Sequence, residues 1–153
     1  MGLFSFLYKT KDWFTPREQE EILAAVREAE RQTSGEIRIF MESRCSYVNP
    51  LDRAAELFYG LKMDQTEQRN GVLLYLAMRD HQIAVYGDKG IHEKVGTTFW
   101  TEEVRKMIAE FNKDHIKEGI IEMVRDIGIA LTQHFPYHNG DKNELPDEII
   151  FGK

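Results

Sequence analysis

The chain has 153 residues, 42% of them hydrophobic and 30% charged, the length and balance of one soluble globular domain with a single core. Its formal charge of −6 argues against a phosphate-backbone partner, which would need clustered Lys and Arg, so no nucleic acid is expected. The single cysteine, Cys45, cannot close an internal disulfide, and no stretch reaches the ~18 apolar residues that mark a transmembrane segment.

Residues 2–8 form an apolar run with no basic residue before it and no small-residue cleavage pattern after it, so it reads as a retained segment. Phe6 stands where a myristoylation signal wants a hydroxyl residue. A cytoplasmic location is the expectation, and the run either packs on the domain or contacts a partner. Thr15, Pro16 and Glu18 then predict an N-cap, a first helical position and a capping box. The helix extends over 16–32 with Ile22, Leu23, Val26 and Ala29 at helical spacing, and Ser34-Gly35 ends it. Ile37, Ile39 and Met41 alternate with Arg38, Phe40 and Glu42, predicting a strand over 36–43 with at least one buried face.

Asn49-Pro50 opens a loop, and Ala54, Ala55, Leu57, Phe58 and Leu61 suit a crossover helix over 52–61. A right-handed strand-helix-strand unit makes the strands at 36–43 and 71–78 parallel neighbours. The second is almost wholly apolar, as a central strand should be. Arg79-Asp80-His81 then reverses the chain into an antiparallel strand over 82–86. Two helices follow. Val104, Met107, Ile108 and Phe111 mark one over 101–112, with Glu102 and Glu103 near its positive end; Ile120, Val124, Ile127 and Leu131 mark another over 116–134, stopped by Phe135-Pro136. The tail, 137–153, reads as an extended arm with a late apolar cluster, Ile149-Ile150-Phe151. The expected organisation is an N-terminal segment (1–14), an α/β domain (15–136) and the tail. The fold class is a three-layer α/β/α sandwich with a small mixed central sheet.

This topology gathers Ser34, Glu36, Arg69, Asn70, Gly87, Asp88 and Lys89 at one end of the sheet. Hard cations take oxygen ligands, and Glu36, Asn70, Asp88 and the Gly87 or Gly90 carbonyls are candidates to hold Ca2+ or Mg2+, with Asp64 and Glu67 adding charge. The plainer alternative is a turn at 87–90 that requires positive φ, with Asp88 solvated. The opposite end gathers Glu42, Ser43, Arg44, Arg79, Asp80 and His81, where open α/β sheets more often bind ligands. Hydrolytic motifs are missing: the sixth residue after Cys45 is Leu51 rather than arginine, and Pro136 separates His134 from His138. Any hydrolysis would need metal-activated water.

The blocks Ser34-Gly35-Glu36-Ile37-Arg38, Arg69-Asn70-Gly71-Val72-Leu73-Leu74, Tyr86-Gly87-Asp88-Lys89-Gly90-Ile91 and Gly119-Ile120 resemble, in order and spacing, the signature blocks of the TPM domain family over roughly 16–135. That family includes a thylakoid-lumen protein of photosystem II repair and a modulator of acetylcholine receptors. The resemblance implies the same three-layer fold. It also implies divalent-cation binding in some members and, from the plant member, weak acid phosphatase activity. This chain departs from the pattern in carrying Arg69 where an aspartate usually precedes Asn-Gly, and in lacking the signal peptide, membrane span and glycine-rich tail. The short form is similar to bacterial cytosolic members found beside a membrane-anchored TPM relative or a LemA-type protein, which are the implied partners. The leading expectation is a non-catalytic or weakly catalytic binding or regulatory module, possessing a cation site and supporting a membrane or protein-quality-control assembly. The alternatives are a weak metal-dependent acid phosphatase, and an assembly factor docking through residues 2–8 or through Ile149-Ile150-Phe151.

Overall fold

The structure, a computed structural model, describes residues 13–137 and 149–152. The apolar run at 2–8 and most of the tail lie outside the described residues. Helix α1 (Pro16–Glu30) starts as its sequence dictates: Thr15 accepts from the Glu18 N–H, and the Glu18 carboxylate accepts from the Thr15 N–H. Strand β1 (Glu36–Glu42) is buried at all seven positions, so both of its faces are covered. Helix α2 (Pro50–Gly60) begins at Asn49, whose side chain accepts from the Leu51 N–H, with Pro50 at the first turn. Strand β2 (Gly71–Ala77) is likewise wholly buried, and β3 (Gln82–Gly87) returns beside it.

The next helix, α3 (Lys89–Asn112), starts well before the expected residue 101 and is broken at Gly96. The segment 87–91 is therefore a helix start. Asp88 is its N-cap, and positive φ falls on Arg69 (52°) and Gly96 (79°) instead of on Gly87 or Gly90. Gly96, at φ 79° and ψ 171°, adopts a backbone geometry reserved almost entirely for glycine, which separates the two halves of α3. Helix α4 (Ile116–His134) has the predicted bounds. The late apolar cluster forms β4 (Ile149–Phe151), a strand within the sheet.

The sheet has the order β3-β2-β1-β4, with β1 parallel to β2 and β4 and β2 antiparallel to β3. Its period-two alternation makes two cores. Ile37, Ile39, Met41, Val72, Leu74, Leu76, Ile83 and Val85 pack with residues of α1, α3 and α4, whereas Phe40, Leu73, Tyr75, Ala77 and Ala84 pack with Ala54 and Phe58 of α2. Each fully buried large apolar side chain contributes ~1.5–3 kcal/mol, so the three-helix face supplies most of the stabilisation. Phe14, ahead of α1, is part of that larger core, and Trp13 lies 6.4 Å from the Phe151 ring. Helix α2 packs mainly over β3 and β2 on the other face, and a recess runs along the β3 edge between α2 and α3. Among the described residues no helix is long and apolar enough to cross a membrane.

Candidate functional site

The amino end of β1 and β2 does gather several predicted residues, and Arg69 and Asp88 among them form a latch. Asp88, 1% exposed, receives the Arg69 guanidinium on both oxygens, at 2.8 Å to Oδ2 and 2.9 Å to Oδ1, while Oδ1 also accepts the Lys89 N–H at 2.7 Å. Hydrogen bonding to Asp88 raises the Arg69 pKa, so the guanidinium stays charged. The Arg69 carbonyl closes the latch by accepting from the Gly90 N–H at 2.8 Å. A Cβ on Gly90 would lie 2.2 Å from the Gln68 carbonyl oxygen, so glycine serves close backbone approach here.

Asn70 belongs to a second small network. Its Nδ2 donates to Ser34 Oγ at 3.1 Å, Ser34 Oγ donates to Gln68 Oε1, and its backbone N–H donates to Thr66 Oγ1. Among the described residues Asn70 Oδ1 has no hydrogen-bond partner. Glu36 is buried at the start of β1, with its N–H on the Asn70 carbonyl; Asp64 is half-buried and accepts from Gln65; Glu67 and Lys89 are exposed. At Asp88 a divalent cation would compete with Arg69 for both carboxylate oxygens and would face a fixed positive charge. No group of three His, Cys, Asp or Glu among the described residues could hold a metal ion. Asp88, in this arrangement, does not fit a cation.

At the carboxyl end of β1, Glu42 is buried and held by Arg53 through Nε and Nη2, both at 3.0 Å, while the Tyr75 hydroxyl donates to the same carboxylate. Burial, then the bond to Glu42, pushes the Tyr75 pKa up, so the phenol remains protonated. Arg53 also reaches Glu56 at 2.6 Å. Glu42 therefore has an acceptor role and no freedom to act as a base. Of the other residues expected here, Ser43 accepts from the Arg79 N–H, Asp80 accepts from the Cys45 N–H, His81 stacks on Phe111 with ring centroids 4.7 Å apart, and Arg44 is exposed. Arg53 and Tyr75 escaped the sequence reading because an arginine on an amphipathic helix and a tyrosine in an apolar strand both read as ordinary structure.

A third charged cluster joins α3 to α4. Lys106 Nζ lies 3.1 Å from Glu103 and 3.0 Å from Asp126. Burial, then the hydrogen bond to Asp126, pushes the Glu103 pKa up to about 7, against the opposing pull of Lys106. With 4.5 as its ordinary value, the folded chain holds a proton that the unfolded chain releases between these limits. Stability from this group is therefore full below about pH 4.5 and lost as pH rises through about 7. Glu103→Gln should stabilise the chain relative to wild type more at pH 8 than at pH 5, by a few degrees in Tm. An equal difference at both pH values would mean that Glu103 is ionised throughout.

The open recess lies beside β3. It is a groove of about 600 Å³ whose base is residues 83–87, whose walls are Leu51 and Tyr59 of α2 and Trp100 and Val104 of α3, and whose charged end is Lys89. The Trp100 Nε1–H donates to His92 Nδ1 and the Tyr59 and Tyr86 hydroxyls bond each other at 3.0 Å, so these aromatic walls meet the groove with their polar tips satisfied. Gly87 makes room for Trp100, because a Cβ there would lie 2.3 Å from the indole ring. A broader depression between α1 and α4 reaches about 1200 Å³, but it is a helix-helix surface rimmed by Glu28, Lys117 and Arg125, with no free backbone groups of a strand.

A family model described as the TPM domain matches residues 7–130. The fold is similar to that of the BA42 protein from the psychrophilic bacterium Bizionia argentinensis, solved by NMR, with a TM-score of 0.83 and 39% identity over 91% of this chain and 95% of that one. It is also similar to the N-terminal domain of the cg2496 protein from Corynebacterium glutamicum (TM-score 0.61, 9% identity, 90% of this chain and 80% of that one). An N-terminal domain from P. gingivalis gives a TM-score of 0.62 at 18% identity, over 82% of this chain and 83% of that one. At such identities the last two carry the fold alone. A search of curated proteins found no match.

Proposed function

Since this chain belongs to the TPM domain family, we propose that it acts as a binding module rather than as a hydrolase, and that it takes its ligand in the groove beside β3. The observation that carries this reading is the groove itself: a concave, largely apolar site on a sheet edge, with few polar groups among its described lining residues and Lys89 at its end. At the polar ends of the sheet, by contrast, the buried carboxylates of Asp88 and Glu42 are engaged, Asp88 by Arg69 and Glu42 by Arg53 and Tyr75. Neither presents a nucleophile beside a free base. Acid phosphatase chemistry has no residue set in its favour, and a regulatory role within a larger assembly needs only the groove.

An NMR screen with a library of soluble amide and aromatic fragments tests the reading. Shifts should concentrate on Val85, Tyr86 and Trp100. Hits that cluster on Asn70 and Asp88, or on Glu42 and Tyr75, would transfer the site to a polar end and sink the proposal.

A further inference from the structure

We infer that the groove beside β3 takes an extended polypeptide segment, which joins the sheet edge as an additional strand and sets an acidic side chain against Lys89. This rests on the reading of the groove as the binding site and names its ligand class. The hydrogen-bond phase of the sheet is the first support. The Asp88 N–H donates to the Gly71 carbonyl at 2.9 Å, and the register pairs Leu73 with Tyr86, Tyr75 with Ala84 and Ala77 with Gln82. Because bonded and non-bonded pairs alternate along an antiparallel ladder, Ile83, Val85 and Gly87 direct their N–H and C=O groups away from β2. Those groups have no partner among the described residues. Ile83 and Val85 are nevertheless each only 4% exposed, and backbone groups so nearly withdrawn from water are normally paired. An incoming strand supplies the missing partners.

The edge also lacks the devices that usually block such pairing. Residues 82–87 contain no proline and no charged side chain, and their register with β2 is unbroken, so no bulge turns the edge away. The recess decides between a free segment and a second copy. Leu51 and Tyr59 on one side and Trp100 and Val104 on the other line the groove with β3 at its base. Two such recessed edges would bring their helices together before the strands reached the ~4.8 Å spacing of a sheet. A single extended segment enters without that collision. Its alternate side chains face the α2 wall and the α3 wall in turn, which favours apolar residues at both. Among the described residues that line the groove, Lys89 is the one Lys, Arg, Asp or Glu; it is exposed and forms no ion pair with a described residue, so complementarity calls for an acidic residue at the Gly87 end.

The test selects peptides from a phage-displayed random dodecapeptide library against the full chain. Winners are synthesised both unmodified and with N-methyl groups on alternate amides, which keep the side chains but abolish strand pairing. Unmodified winners should be apolar with an acidic residue, slow hydrogen exchange at the Ile83, Val85 and Gly87 amides, and lose about tenfold or more in affinity on N-methylation, since several backbone hydrogen bonds are removed together. Lys89→Glu should weaken them further. Equal binding of the methylated peptide, or unprotected amides, would overturn strand addition while leaving the groove as the site. Selection of no peptide, with fragments still mapping to Trp100, would do the same. Winners that map to Asp88 or Glu42 would overturn both readings, and protection of the same three amides by raising protein concentration alone would make the occupant a second copy and overturn the inference.

Discussion

Arg53→Met should lower the stability of this chain by about 3 kcal/mol, because removing the partner of a buried carboxylate leaves that charge uncompensated. The effect acts on Glu42, which is buried and accepts from Arg53 through two hydrogen bonds. Glu42 drives the Arg53 pKa upward, so the guanidinium is charged at every ordinary pH and the ion pair does not titrate from its side. For a domain of this length each kcal/mol corresponds to roughly 2–4 °C in Tm. Urea unfolding measures the loss directly. Adding Glu42→Gln to the variant should recover part of it, since an amide in place of the orphaned carboxylate no longer carries a buried charge. A loss below about 1 kcal/mol, or a double variant weaker than the single one, would show that Tyr75 alone suffices for Glu42 or that α2 shifts to admit water.

Gly90→Ala is expected to have an effect of similar size from a different cause. The added methyl would meet the Gln68 carbonyl at 2.2 Å and the Arg69 carbonyl at 2.6 Å, both backbone atoms that cannot rotate away as a side chain can. Relief requires the first turn of α3 to move off the Arg69 loop, which would stretch the Gly90 N–H bond to Arg69 and pull Asp88 from its guanidinium. Overpacking of this kind costs about 1–3 kcal/mol, and loss of the attached polar contacts places this site at the upper end, about 3 kcal/mol. Thermal unfolding reads the stability, and the Arg69 Nε–H resonance reads the ion pair. A variant as stable as wild type would mean that the loop and the helix are not in this close contact.

Much of the fold was legible residue by residue. The capping box at Thr15 and Glu18 and the ends of α4 follow from interactions within a few positions, and they stand where the sequence places them. The parallel pairing of β1 and β2 followed from the length of the crossover and its handedness. The start of α3 was missed because Gly87, Gly90 and Gly96 together resemble a turn-rich loop. Two of them are instead close-approach positions, and only Gly96 carries the positive φ. Ile149-Ile150-Phe151 read as part of an extended arm because nothing local says that an edge of β1 is free to receive it.

The candidate site divides in the same way. Composition, charge, the two buried strands, the family and the residues at each end of the sheet were determined by the sequence alone, because they depend on residue type and short-range periodicity. Which side chain answers which was decided only by the tertiary structure. Arg69 and Asp88 are both visible in the chain, yet whether the aspartate meets water, a cation or a guanidinium depends on β3 returning beside β2, an outcome of non-local packing. The groove is a stronger case. An apolar strand such as Ile83-Ala84-Val85 reads the same in the middle of a sheet as at its edge, and only the relative lengths and placements of α2 and α3 leave this one at an edge, recessed between two helices.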